Sequence, residues 1–287
     1  MKYIKMVIQG MVIGLSMLIP GVSGGTMAVV MGIFDKLVIA IGTLFKNFKK
    51  SLLVLVPVGI GGVLGILLFS NPIVFMLDHF LVPTMFLFMG AVIGGLPALV
   101  KEAEINKKSI HLKNILLFVA GMAVVLLINF LPKDLLTLNA DNYFANFIIL
   151  FICGIVSSMA FVLPGISGSY MLLLLGMYDT MMRAVSTLDI PLLFPLGLGI
   201  LLGILAIGRL LKFLLERHRQ ATYIVILGFI VVSVFELYPG VPKGLEWLWS
   251  ILLFAGGFLI IFFVSRYEEK KKEKLAKNAP VEDVLDR

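Results

Sequence analysis

Long apolar runs separated by short charged gaps dominate the chain. Runs of about 17–25 residues, the length a helix rising 1.5 Å per residue needs to cross a hydrocarbon core of roughly 30 Å, fall at 51–70, 84–100, 114–131, 191–211, 222–238 and 248–264. They predict six spanning helices. Two further apolar regions, 6–34 and 146–178, are interrupted by Pro20-Gly21-Val22-Ser23-Gly24-Gly25 and by Pro164-Gly165-Ile166-Ser167-Gly168-Ser169. Each reads as a hairpin of two short helices around a break. Proline removes a backbone donor and glycines weaken helix propagation, so freed backbone at membrane depth survives only where protein or a polar cavity satisfies it. The breaks are therefore expected to face the protein and not lipid.

The two interruptions are copies of one motif. At an offset of 144 positions, Pro20, Gly21, Ser23, Gly24, Met27, Gly32 and Asp35 coincide with Pro164, Gly165, Ser167, Gly168, Met171, Gly176 and Asp179. At an offset of 138, Leu64-Gly65-Ile66-Leu67 matches Leu202-Gly203-Ile204-Leu205, and Thr84 and Gly90 match Thr222 and Gly228. Each half is thus one hairpin plus three spans. A first repeat over 1–131 holds hairpin 6–34, a second over 145–264 holds hairpin 146–178, and a tail follows over 265–287. Three spans are an odd number, so the second half starts on the opposite side of the membrane from the first. The expected fold is an all-α integral membrane protein built as an inverted repeat, an architecture that places a site at the repeat interface near the bilayer midplane.

Charge supports that segmentation. With both termini on the cytoplasmic side, all of the 24 Lys and Arg except Lys133, Arg183 and Lys243 fall on the inner side, as the excess of cations in cytoplasmic loops requires. The tail from Arg266 is read as an orienting segment that attracts anionic lipid. The recurrence of the first hairpin far downstream argues against reading residues 1–19 as a cleavable leader.

Composition narrows the chemistry. The chain is 60% hydrophobic and 14% charged with a mean hydropathy of +1.07, against about 45–50% and 25% in soluble proteins. The net charge of +7 resides in the gaps between apolar runs and forms no basic face for nucleic acid. A single cysteine, Cys153, leaves no pair for a disulfide, a metal knuckle or a redox couple. No cofactor, metal or nucleotide is implied, since no GxxxxGK[ST] loop occurs. His79, His111 and His218 lie near span ends with no spacing that forms a triad or a metal set, which weighs against a membrane phosphatase.

The breaks themselves carry the candidate chemistry. Each is followed by a new short helix, whose first N–H groups lack intrahelical partners and carry positive partial charge. Ser23, Gly24, Gly25 and Thr26 from one copy, and Ser167, Gly168, Ser169 and Tyr170 from the other, are the candidate donors to an oxyanion. A branched side chain at Gly24 or Gly168 is expected to block its approach. Arg209, the cation set deepest into a span, is the candidate counter-charge, with snorkelling to the interface as its ordinary alternative. Snorkelling is likewise the ordinary reading of Glu236. Asp35 and Asp179 read as solvated interfacial carboxylates. The bland alternative for both breaks is tight turns whose small residues let helices approach.

The element Ile19-Pro20-Gly21-Val22-Ser23-Gly24-Gly25-Thr26 with Gly32-Ile33-Phe34-Asp35, and its counterpart Leu163 to Ser169 with Gly176-Met177-Tyr178-Asp179, resembles the motifs of bacterial polyprenyl-phosphate translocases of the PopT type. The resemblance covers roughly Met1 to Val264. It implies a non-enzymatic lipid flippase in the bacterial cytoplasmic membrane whose partner is undecaprenyl phosphate. That carrier of cell-wall precursors would be returned from the outer to the inner leaflet by alternating access. The residues alone leave a transporter of a small soluble anion as the alternative.

Overall fold

The computed structural model describes residues 2–19, 21–103, 111–136, 138 and 142–277. Pro20, the loop lysines Lys107 and Lys108, and tail residues 278–287 lie outside them, as does the side chain of Ser169. The described residues form helices and no strands. The protein is an all-α membrane protein, with seven helices long and apolar enough to cross a bilayer. Leu67, Leu116, Phe130, Phe194 and Ile260, each more than half exposed, belong to an apolar perimeter far larger than a soluble monomer tolerates.

The elements come in two sets of six. The first is α1 (Lys2–Ser16), α2 (Gly24–Val30), α3 (Phe34–Gly42), α4 (Phe48–His79), α5 (Leu81–Glu102) and α6 (Leu112–Phe130). The second is α7 (Tyr143–Val162), α8 (Gly168–Leu174), α9 (Tyr178–Thr187), α10 (Ile190–Arg217), α11 (Arg219–Glu236) and α12 (Glu246–Lys277). The six expected spans correspond to α4, α5, α6, α10, α11 and α12. Two features differ from the sequence reading. The helix before the second break is not short: α7 has 20 residues, because a mostly apolar run with no proline extends from Tyr143 to Val162. Each short helix after a break is followed by a second one, and α2 and α3 meet at 119°.

Glycine explains the bends. Gly21 and Gly165 at the breaks have φ of +80° and +83°, and Gly32 and Gly176 after the short helices have +66° and +75°. Only a residue without Cβ adopts that region readily, and all four sit at matching positions of the two motifs.

Glycine also sets the helix pairing. In α1 against α4, a Cβ on Gly10 would collide with Val58 O and one on Gly14 with Gly62 O, while Gly61 and Gly65 abut Val7 O and Met11 O. The residue numbers rise together, so the two helices run parallel. The same holds for α7 with α10 (Gly199 on Phe151 O, Gly203 on Ile155 O), for α5 with α12 (Gly90 on Phe254 O, Gly94 on Phe258 O) and for α6 with α11 (Gly121 on Val225 O and, further along, Asn129 bonded to Glu236). Lipid gives helices no hydrophobic reason to associate, so such backbone-to-backbone contact is what holds them. Each Cα–H···O approach contributes about 0.5–1 kcal/mol.

Candidate functional site

The two breaks have matching local geometry. Ser23 precedes α2 with φ −89° and ψ 133°, and Ser167 precedes α8 with φ −86° and ψ 129°. Neither side chain caps its own helix. Instead the breaks touch. The Ser23 hydroxyl donates to Leu163 O at 3.3 Å, and the Gly165 N–H donates to Thr26 Oγ1 at 2.8 Å. A methyl on Gly25 would stand 3.0 Å from Pro164 N and 3.1 Å from Leu163 C. Gly25 is therefore a glycine that contact between the two breaks requires. Gly24 faces the side chains of Met17 and Ile13 at 3.3–3.4 Å, and Gly168 faces the Phe161 ring at 3.2 Å.

The two half-sites differ in access. Ser23, Gly24, Gly25 and Thr26 are all buried, with both hydroxyls engaged by the other break. Ser167 and Tyr170 instead line a cavity of about 620 Å³, together with Leu18, Gly21, Asn129 and Glu236. The Tyr170 hydroxyl donates to Asn129 O at 3.4 Å, and the Asn129 amide donates to the Glu236 carboxylate. Hydroxyls, an amide and the start of α8 thus surround a space into which the first break also opens. Lys, Arg and His are absent from its described lining.

Arg209 is not brought to the breaks. It lies in the last third of α10, exposed, with its guanidinium 5.3 Å above the Phe45 ring. The reason is the length of α10, which continues to Arg217 and carries Arg209 along the flank that α3 covers.

A second polar cluster lies at the other end of α11. Arg219 pairs with Asp35 at 2.8 Å and with Glu102 at 2.5 Å, and the Tyr223 hydroxyl donates to Asp35. Nearby, Lys5 pairs with Glu268, and Lys101 with Glu269 at 3.5 Å. Asp35 is therefore an ion-pair partner and not the solvated carboxylate that its sequence position implies, because α11 delivers Arg219 to the first turn of α3. Among the described residues Asp179 has no such partner: Arg183 Nε donates to its backbone carbonyl at 3.4 Å. The 18 residues of α11 separate Arg219 from Glu236 by about 25 Å, so the cavity is at one end of the helix and the ion pairs at the other. Sequence reasoning missed Asn129, Glu102, Arg219, Tyr223 and Gln9. A polar residue within an apolar run is the signal for Gln9, whose amide donates to Met31 O at 2.9 Å.

The comparisons with known proteins meet this geometry. The family model described as undecaprenyl phosphate translocase-like matches residues 13–252. The chain belongs to this family. Among its relatives, the polyprenyl-phosphate transporter of Staphylococcus aureus is 34% identical over 274 residues, covering 91% of this chain and 95% of the relative. The polyprenyl-phosphate transporter of Vibrio cholerae is 29% identical over 253 residues, covering 83% and 79%. No solved structure matches the chain. The family match spans both breaks and the cavity between them, so the site lies inside the shared region. The family is named for transport of a lipid phosphate and not for a reaction.

Proposed function

We propose that this protein is a flippase that returns undecaprenyl phosphate from the outer to the inner leaflet of the bacterial cell membrane by alternating access. It would thereby recycle the carrier for envelope precursors without covalent chemistry. The observation that carries this reading is the 620 Å³ cavity at the two breaks on one end of α11, with the Arg219 ion pairs closing the other. Family membership and the names of the relatives support the choice of lipid. The distribution of Lys and Arg supports an orientation with both termini cytoplasmic and the cavity facing outward.

On this reading the two sets of six helices are the inverted repeats, 1–131 and 145–264. An ionised phosphate meets an idealised desolvation cost of order 20 kcal/mol in hydrocarbon, whereas the isoprenoid tail meets none. Only the head needs a path. Ser167, Gly168, Ser169 and Tyr170 meet the phosphate first, and Ser23, Gly24, Gly25 and Thr26 become available when the breaks part. Glu236 repels the head from its side of the cavity and turns it toward α8.

The test uses purified protein in liposomes. Labelled polyprenyl phosphate should move between leaflets with no uptake of free phosphate. Uptake of a soluble anion without lipid movement overturns the reading in favour of a small-anion transporter.

A further inference from the structure

Arg209 was left without a role when the structure separated it from the breaks, and its surroundings form a site of their own. It lies on α10 where α3 packs across from the other half of the chain, a Cβ on Gly42 coming within 3.0 Å of Gly208 O. Beside this crossing is a cavity of about 270 Å³ lined by Lys46, Arg209 and Lys212, with Phe45, Phe213 and Glu216. Glu216 pairs with Lys212 at 3.5 Å. Among the described residues no carboxylate lies within ion-pair distance of Arg209 or Lys46. The cavity therefore holds more positive than negative charge. The Phe45 and Phe213 rings are 69% and 51% exposed, giving the cationic cavity an apolar rim, and Arg209 sits over one ring and Arg217 over the other.

The internal repeat supplies a control. At the offset of 138, Arg209 and Lys212 correspond to Asn71 and Val74 of α4, and α9 makes no comparable contact with α4. In α4 a long helix forms at this position without cations, its counterpart residues lying toward the opposite end of the bundle; on α10 the cations stand beside the α3 crossing, at the end that also carries Lys101, Arg217 and Arg219.

We infer that this pocket binds the phosphate headgroup of a membrane lipid, with Arg209, Lys46 and Lys212 meeting the phosphate oxygens and Phe45 and Phe213 packing on the first carbons of the tail. This goes beyond the flippase reading and does not rest on it: the ligand chemistry is the lipid phosphate, from either a prenyl phosphate or an ordinary phospholipid. Because the pocket joins α3 to α10, an occupant would tie the two halves together at that face.

The test is a photoactivatable short-chain prenyl phosphate, crosslinked to the full-length protein in nanodiscs of neutral phosphatidylcholine, with labelled peptides mapped. Label is expected on 42–46 and 209–216. It should fall by about tenfold or more in Arg209→Gln/Lys212→Gln and return in Arg209→Lys/Lys212→Arg, with unfolding temperature in neutral lipid unchanged. Competition by excess phosphatidylglycerol supports a site for any anionic lipid, and failure to compete supports one selective for prenyl phosphate. Absence of label from these peptides, or equal label in the double glutamine variant, overturns the inference. Should that variant not insert, Lys46→Gln, in the exposed turn after α3, is read in the same way. Because the readout is local labelling, it can fail while flipping persists, or succeed in a protein that does not flip.

Discussion

The two short helices end on the same unsatisfied carbonyls, and the protein satisfies them in different ways. Val30 O accepts from the Ser265 hydroxyl at 3.1 Å and Met31 O from the Gln9 amide at 2.9 Å, side chains reaching in from α12 and α1. Their counterparts Leu174 O and Leu175 O accept from the backbone N–H groups of Leu135 and Leu136, at 3.1 and 3.3 Å. The last carbonyls of any helix lack intrahelical partners, so both solutions meet one need. The first ties α2 into the packed bundle, where all seven of its residues are buried. The second ties α8 to the connection between α6 and α7 and leaves Tyr170 on a cavity. Near-identical motifs thus become one seated half-site and one accessible half-site, and the difference arises from what their neighbours offer.

The comparison can be broken most severely at the point where the breaks touch. Gly25→Val places a branched side chain against the backbone of Leu163 and Pro164, and transport in liposomes should be lost while the protein still inserts. Gly24→Ala, which meets only the ends of flexible side chains, should retain most of it. If Gly24→Ala were the more damaging of the two, the contact between breaks would not be the critical one. Arg219→Gln removes the ion pairs that Arg219 makes with Asp35 and Glu102, a loss of about 1.5–3 kcal/mol for a charged hydrogen bond. A cysteine at Tyr223 should then react with a thiol reagent applied from the Arg219 end roughly tenfold faster than the same cysteine with Arg219 intact.

Gln9→Leu removes one tie on the first short helix and strands Met31 O, costing about 1–3 kcal/mol in thermal unfolding. Ser265→Ala strands Val30 O in the same way but gives up the longer bond, 3.1 Å against 2.9 Å, and should cost about 1 kcal/mol. Equal stability of Gln9→Leu and the parent would show that α2 is not seated by these ties. The smallest effect belongs to the open side. Glu236→Gln removes the cavity's carboxylate and keeps a group that Asn129 can bond, so a prenyl phosphate should bind a few-fold more tightly, about 1 kcal/mol for one nearby charge in partly aqueous surroundings. Weaker binding would mean that Glu236 assists the headgroup and does not repel it.

Much of the fold was legible because lipid imposes a simple code. Apolar length marked the six spans, and Pro and Gly marked both breaks. The full length of α7 was hidden because the second motif sits at its end and drew attention away from the unbroken run before it. The helices α3 and α9 were hidden because, at 9 and 10 residues, each is shorter than the apolar length on which the reading relied. At the candidate site, the motif residues are marked in the sequence, but the residues they touch are not. Nothing in the spacing of Ser23 and Leu163, or of Asp35 and Arg219, signals contact between positions so distant along the chain. Arg209 was misplaced for the same reason: its depth along a span was readable, and the face on which it lies was not.

The glycine contacts also say which parts can swing. Two of the parallel pairs, α1 with α4 and α7 with α10, lie within one half, but α5 with α12 and α6 with α11 stitch the halves together. A see-saw of whole halves would have to unpick both seams, where backbone lies against backbone. On the alternating-access reading, the pieces left to pivot would be the α1–α4 and α7–α10 arms, themselves joined where α3 meets α10, with hinges in the short connections from α4 to α5 and from α10 to α11.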